Sequence, residues 1–371
     1  MQFNSTRRSF LKNTVKAILL VGFFNPIRKL LAYGNSDIRL PSWVELIDYA
    51  RWCPTVHNLQ PHQIKIISET EAELYYNPSR LLPIGDPGSI FATVAMGIFH
   101  EHLSIAASPY GKKVEMAEIF SPVNVARTEP TLFAKLKLVP ANEKEELNRE
   151  LIKERRTSRL HYNGKPLNQE TLNKLKNETE KFEHEFFSTS DKEIVDFLVK
   201  LNQETLFEDI SSKATCKELD HLFRYTKTDA KTKKDGLWAK CMCFPGFLMK
   251  SVFQHPEKWH KGLKEKLLAK HYKAAFKGTA TICWFEGRFN NTKDWLQAGR
   301  MFARTWLLIT KENAYIHPFG SLITNVEAYK KINEKLGQSK ENNKLWMIFR
   351  TGYSKEPTRS FRLSTEDIII S

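Results

Sequence analysis

Arg155-Arg156-Thr157-Ser158-Arg159 gathers three guanidinium groups and two hydroxyls within five residues. Guanidinium forks bind phosphate oxygens bidentately, and hydroxyls beside them add hydrogen bonds. Taken alone, the stretch also reads as a solvated basic turn. A second stretch gives it weight. Pro54-Thr55-Val56-His57-Asn58-Leu59-Gln60-Pro61-His62 lies between a predicted helix and a predicted strand, a common position for a ligand loop. Its Asn58 and Gln60 carry both donors and acceptors, as recognition of a heterocyclic ring edge requires. A third stretch, Ile316-His317-Pro318-Phe319-Gly320-Ser321, follows an apolar helix, and Gly320 lets the backbone approach a flat ligand closely. Thr358-Arg359-Ser360-Phe361-Arg362 then supplies further cations near the C-terminus.

Between these stretches, helical and strand patterns alternate. Trp43, Leu46, Ile47 and Ala50 recur at helical spacing behind Ser42, a predicted N-cap, and the helix should stop before Pro54. Gln63 to Ile67 and Ala72 to Tyr76 read as a hairpin. Phe91 to Ala107 reads as a long apolar helix, Val114 to Ile119 and Leu132 to Val139 as strands, and Asn142 to Glu154 as a charged helix. The pattern then recurs: helices over Leu167 to Phe182 and Lys192 to Leu206, a β-rich run over Thr279 to Phe285, an apolar helix over Trp295 to Thr310, and a strand over Trp346 to Thr351. Between Leu219 and Lys277 the pattern is helical but irregular, broken at Pro245-Gly246. This alternation predicts an α+β or α/β layered fold whose two halves share an outline.

The chain has 371 residues, 41% of them apolar, with 24 Phe, 8 Trp and 11 Tyr, ample material for a large core. The net charge of +15 is spread over the length and mostly interleaved with acids. That pattern argues against a nucleic-acid groove, which concentrates its basic residues. Five cysteines show no CxxC pair. Cys241-Met-Cys243 is too small a set for a structural zinc, which takes four ligands, and is expected to be buried in an apolar segment.

Together, the motifs resemble the nitroreductase-like FMN flavoprotein family. The Arg-Arg-Ser/Thr-x-Arg box corresponds to Arg155 to Arg159. The Pro-Ser-x-x-Asn-x-Gln-Pro-Trp loop corresponds to Pro54 to His62, with Thr55 for serine and His62 for tryptophan. The Pro-x-Gly turn corresponds to Pro318 to Gly320, and Arg359 to the C-terminal arginine. The order departs from simple members, because here the Asn/Gln loop precedes the arginine box. The chain therefore resembles the Acg-like branch, in which two units are fused. That resemblance implies an α+β fold of two tandem nitroreductase-like α/β/α units forming an intramolecular pseudo-dimer. The first half would span residues 36–150 and the second 151–371, with a helical insertion at about 205–277 that would cover the site. It implies one FMN per chain. Arg155, Arg156, Thr157 and Arg159 would hold the phosphate and ribityl chain, with Arg359 as additional charge. Pro54, Thr55, Asn58 and Gln60 would face the ring, and the backbone at Phe319 and Gly320 would approach its N5 edge. The flavin would pass two electrons from NAD(P)H or another small donor to a small acceptor. A fused chain completes its own site, so a monomer is expected.

Residues Ser5 to Lys12 (STRRSFLK), followed by apolar Ala17 to Phe24, resemble a twin-arginine export signal. Residues 1–35 are thus expected to engage the export machinery, placing the protein in the periplasm or tethered to the outer side of the cytoplasmic membrane. Two other readings follow from the same residues. One is a non-catalytic FMN-binding or FMN-storing protein with a closed lid. The other is an exported metal-binding protein using His57, His62, His100, His102 or the cysteine pair.

Overall fold

A computed structural model describes residues 40–259, 261–337 and 339–371. The expected leader at 1–35 lies outside these. Helix α1 (Trp43–Ala50) starts where Ser42 accepts a hydrogen bond from the Glu45 N–H, and it buries Trp43, Leu46, Ile47 and Ala50. After the 54–62 loop, β1 (His62–Ile66) and β2 (Glu71–Tyr76) pair as the expected hairpin, with His62 opposite Tyr76 and Ile66 opposite Ala72. Helix α2 (Ile90–Ala107) is buried on nearly all sides, which explains its largely apolar sequence. Its length and hydropathy would suit a membrane span, but 83% of that window is packed inside the protein. Strands β3 (Lys112–Ile119) and β4 (Thr131–Pro140) complete an antiparallel arrangement with β2.

The second half begins with α3 (Glu150–Glu154), α4 (Gln169–Glu180), β5 (Glu185–Thr189) and α5 (Lys192–Asp209). A run of short elements follows: α6 (Lys213–Leu222), β6 (Phe223–Arg224), α7 (Lys227–Lys233), β7 (Leu237–Trp238), α8 (Gly246–Gln254), α9 (Pro256–Trp259) and α10 (Gly262–Ala275). The chain then returns to regular structure in β8 (Thr281–Gly287), α11 (Thr292–Lys311), β9 (Tyr315–Pro318), α12 (Ser321–Thr324), α13 (Val326–Leu336), β10 (Lys344–Gly352), α14 (Thr365–Ile368) and β11 (Ile369–Ile370). Two main sheets result, in the orders β11-β1-β2-β4-β3 and β5-β8-β10-β9. The fold is α+β, as expected. The predicted helix from Asn142 to Glu154 is a correction: only Glu150–Glu154 is helical. Upstream, the chain is held open so that Glu145 reaches Arg304, its oxygens lying 2.7 and 3.0 Å from the guanidinium.

Residues 41–371 form one compact unit, and α2 packed against α11 is its spine. Gly97 is the eighth residue of α2, and Gly299 the eighth of α11. A Cβ on Gly97 would lie 2.3 Å from the Leu296 carbonyl oxygen, and one on Gly299 would lie 2.1 Å from that of Val94. Leu296 and Val94 each precede their own glycine by three residues. The contact is therefore reciprocal, as at a two-fold interface between like subunits. Here both partners belong to one chain. After each of these helices the chain enters antiparallel strands of its own sheet.

Two connections tie the halves further. The C-terminal segment crosses back, and β11 joins β1 in parallel, with Ile369 beside Ile64 and Ile370 beside Lys65. The short elements of 205–277 are clamped onto the first half. Asp235 pairs with buried Arg224 at 2.6 Å and with Arg80 at 2.9 Å. Glu218 accepts from the N–H groups of Ile84 and Gly85, both at 2.9 Å.

Candidate functional site

The 54–62 loop is held in a conformation that side chains resist. His57, Asn58 and Gln60 have φ of 47°, 59° and 53°. Such left-handed non-glycine residues cost roughly 1–2 kcal/mol apiece and persist only where surrounding structure enforces them. The enforcement is visible. Gln60 N–H donates to Thr55 Oγ1 at 3.0 Å. The buried Gln60 amide donates to the carbonyls of Asn58 and Lys234, both at 3.0 Å, and accepts from Leu363 N–H at 2.9 Å. Asn58 Nδ2 donates to Gly236 O, Ser360 Oγ and Phe361 O at 3.3, 3.3 and 3.1 Å. Asn58 Oδ1 is buried with no partner.

The arginine box reaches this loop from the second half. Past α3, Ser158 N–H donates to Ile316 O at 3.0 Å and Thr157 bridges Ile316 in parallel, so the box extends the edge of the second sheet beside β9. Arg155 is 6% exposed. It donates to Trp52 O at 3.0 Å and lies 4.5 Å above the Trp306 ring, while its Nε has no partner. Arg359 lies 3.4 Å from the centre of the Trp52 ring, and its buried Nη2 has no partner. Arg362 donates to Cys53 O at 2.8 Å. Only Arg156 has a carboxylate, Glu356 at 2.5 Å. Among the described residues, Arg155, Arg159, Arg359 and Arg362 have none.

Burial, reinforced by mutual repulsion, pushes Arg359 and Arg362 down to about 10 and Arg155 well below its usual value. Burial also lowers Arg159. Guanidinium does not give up its proton in proteins. The depressed values therefore express an unmet need for anionic charge.

Two adjoining cavities meet at this cluster. One, of ≈ 140 Å³, is lined by Pro54, Thr55, Asn58, Arg155, Arg156, Thr157, Arg159 and Arg359, with Trp52, Ser360 and Arg362. The other, of ≈ 270 Å³, is mostly apolar. Its walls are Leu206 and Phe207 of α5, Ile210 just past it, Leu219 of α6, Phe253 of α8 and Tyr272 of α10, facing His317, Pro318 and Gly320. The cavities share His57, Arg159, Leu237 and Met242. The result is a site with a polycationic end and an apolar end. The 205–277 run forms a lid over the apolar end. Arg350, fully buried, fixes that lid's far end by donating to Ala275 O at 3.0 Å.

Two of the residues picked from sequence do not line either cavity. Gln60 braces the loop from behind. Phe319 is 1% exposed, packs into the second-half core, and spends its N–H on Ile348 O at 2.9 Å. Gly320 does face the apolar cavity, where nothing would crowd an added Cβ. Arg362 and Ser360 belong to the quoted C-terminal stretch but had no role there. Trp52 carries no separate signal in the sequence; His57 reads there only as a candidate metal ligand, and the lid only as an insertion that would cover the site. Cys241 and Cys243 line the two cavities rather than lying buried in an apolar segment. Among the described residues, no group of three or more His, Cys, Asp or Glu is placed to hold a metal ion.

No protein-family model matches this sequence, and no curated protein matches it. Solved structures resemble it at low identity, among them nitroreductase-like FMN proteins. The FMN-dependent nitroreductase NfnB from Mycobacterium smegmatis, in complex with NADPH, is 17% identical over 56% of this chain and 86% of that one, with a TM-score of 0.32. A nitroreductase with bound FMN from Bacteroides fragilis is 14% identical over 57% and 89%, with a TM-score of 0.32. A nitroreductase candidate from Anabaena variabilis is 10% identical over 84% and 87%, with a TM-score of 0.45.

Proposed function

We propose that this chain is an FMN-dependent oxidoreductase of the nitroreductase-like kind, an intramolecular pseudo-dimer with one flavin site per chain. The observation that carries the reading is the four carboxylate-free arginines at one end of a composite cavity whose other end is apolar. Its charge pattern matches a phosphomonoester joined to a flat ring. Arg155, Arg159, Arg359 and Arg362 would neutralise the phosphate, with Thr157 donating a hydroxyl. Asn58 Oδ1, buried and unpartnered, would accept a ring N–H, and Gly320 would let the chain lie against the ring face. The bound flavin would supply two-electron chemistry. The chain's own contribution is to bind, orient and exclude water. Its lid does the last of these. His57, at the junction of the cavities, is pushed down to about 4, chiefly by burial and then by Arg159, so it stands neutral at pH 7. The donor would be a reduced nicotinamide or another small reductant. By the sequence reading, the protein works outside the cytoplasm.

A second reading has its own support. Residues of the lid line most of the apolar end, as a protein that covers a stored flavin requires. Anaerobic addition of NADPH to the FMN-loaded protein separates the two. Bleaching of the flavin band supports an oxidoreductase open to nicotinamide. A persistent band, with turnover by no other donor, supports storage.

A further inference from the structure

Helices α8 and α10 of the lid are apolar on two sides. On the inner side, Met249, Val252, Leu268 and Tyr272 line the apolar cavity. On the outer side, Leu263 and Leu267 of α10 are 73% and 57% exposed, and Phe247 of α8 is 75% exposed. Leu263 and Leu267 stand one turn apart and so share a face. Phe247 lies near them, because Ser251, one turn further along α8, accepts from Trp259 Nε1 at 2.9 Å, and the Lys264 ammonium sits 5.3 Å from the Trp259 ring. Helix α10 has no fully buried residue in 14. Residues 246–277 also hold eight lysines against two acids, and all eight are exposed. Among the described residues none of the eight pairs with a carboxylate. Lys266 and Lys270 follow Leu263 and Leu267 by three positions each, so they flank the leucines on the same side of α10.

We infer that this outer face of the lid docks on the surface of an anionic phospholipid bilayer. Phe247, Leu263 and Leu267 enter the interface, and the lysines meet the headgroups. Exposed apolar side chains ringed by unpaired lysines are the pattern of an interfacial helix. A bilayer takes scattered apolar side chains without a matching pocket. A second copy of the chain would bring the same excess of positive charge against itself. The inference does not rest on the FMN reading.

The test sediments the full-length protein with vesicles of phosphatidylglycerol and phosphatidylcholine in equal parts, and with vesicles of phosphatidylcholine alone. The inference expects binding to the anionic vesicles that falls with added salt, and little binding to the neutral ones. Lys266→Glu with Lys270→Glu should weaken it about thirtyfold or more. Lys144→Glu with Lys176→Glu makes the same charge change at exposed lysines outside the lid and should leave it nearly unchanged. Leu263→Ser with Leu267→Ser should weaken it about tenfold without lowering the melting temperature, since both leucines are exposed. No vesicle binding would overturn the inference. Equal binding by every variant would overturn it too, assigning the attachment to residues 1–35, which all of them keep. Equal loss in the two lysine pairs would reduce the effect to net charge, and a vesicle-independent dimer that the leucine changes dissociate would assign the face to a second copy. Either result also overturns it.

Discussion

A buried guanidinium without a carboxylate is costly to keep, because desolvation is not repaid by a partner. Arg159 makes no hydrogen bond or ion pair among the described residues, yet it lines both cavities. Arg159→Ala is therefore expected to weaken FMN about ten- to a hundredfold, the loss of a charged hydrogen bond. The same change should leave the flavin-free protein's melting temperature unchanged or higher, because it relieves repulsion. Fluorescence titration and thermal melts of the stripped protein read the two effects separately. Unchanged affinity, or a large fall in the flavin-free melting temperature, would assign Arg159 a structural role instead. At this scale the sequence was legible in chemical type but not in direction. Asn58 and Gln60 are amides in one loop. One lines the cavity and keeps an unpartnered amide oxygen, and the other braces the turn that carries it. Residue type alone does not tell a group that lines a site from one that holds it.

Among the elements, the lid depends on few contacts with the first half. Arg224 is 5% exposed, and its only carboxylate among the described residues is Asp235. Asp235→Ala strands that charge, a change that costs about 3–5 kcal/mol for a buried pair. The loss should stay local, since the lid elements are short. Limited proteolysis is expected to cut within residues 205–277 faster, with fragments ending on either side. Cleavage spread over the whole chain would contradict this. The long elements were legible because burial fixes their pattern: α2 is largely apolar and buried on nearly all sides, and α11 carries one broad apolar face. The Asn142 to Glu154 stretch misled because its charges fit a solvated helix, whereas Glu145 is taken by a distant arginine. Short pairings such as β11 with β1 depend on where the chain returns, which local sequence does not encode.

At the scale of the whole molecule, the reciprocal Gly97–Gly299 contact sets how closely the halves approach. Gly97→Ala places a methyl against a backbone oxygen, and overpacking of this kind costs about 1–3 kcal/mol or more. Urea unfolding should show that loss, and FMN affinity should fall with it, since the site draws on both halves. Unchanged stability would contradict the close approach. A pH response also belongs here. Burial pushes His62 down to about 3 and His100 and His184 down to about 4. In the unfolded chain these groups protonate near pH ~6.5. Below that pH the unfolded state binds more protons, so stability present at pH 7 is lost as pH falls. The urea midpoint should drop between pH 7 and 5 more steeply than one protonation explains, and a flat midpoint would contradict it.

The same symmetry predicts the flavin count. Arg304 stands five residues after Gly299, as His102 stands five after Gly97. His102 feels Arg155 and Arg362 most strongly among its charged neighbours. Arg304 is instead surrounded by Glu101, Glu145 and Glu178. Carboxylates thus occupy the position where the candidate site gathers cations, and they would repel a phosphate. Titration of the stripped, full-length protein with FMN, followed by quenching of flavin fluorescence, tests the account most directly. The account predicts saturation at one FMN per chain, lost progressively as Arg155 and Arg159 are replaced. No binding, or binding indifferent to both arginines, would contradict it.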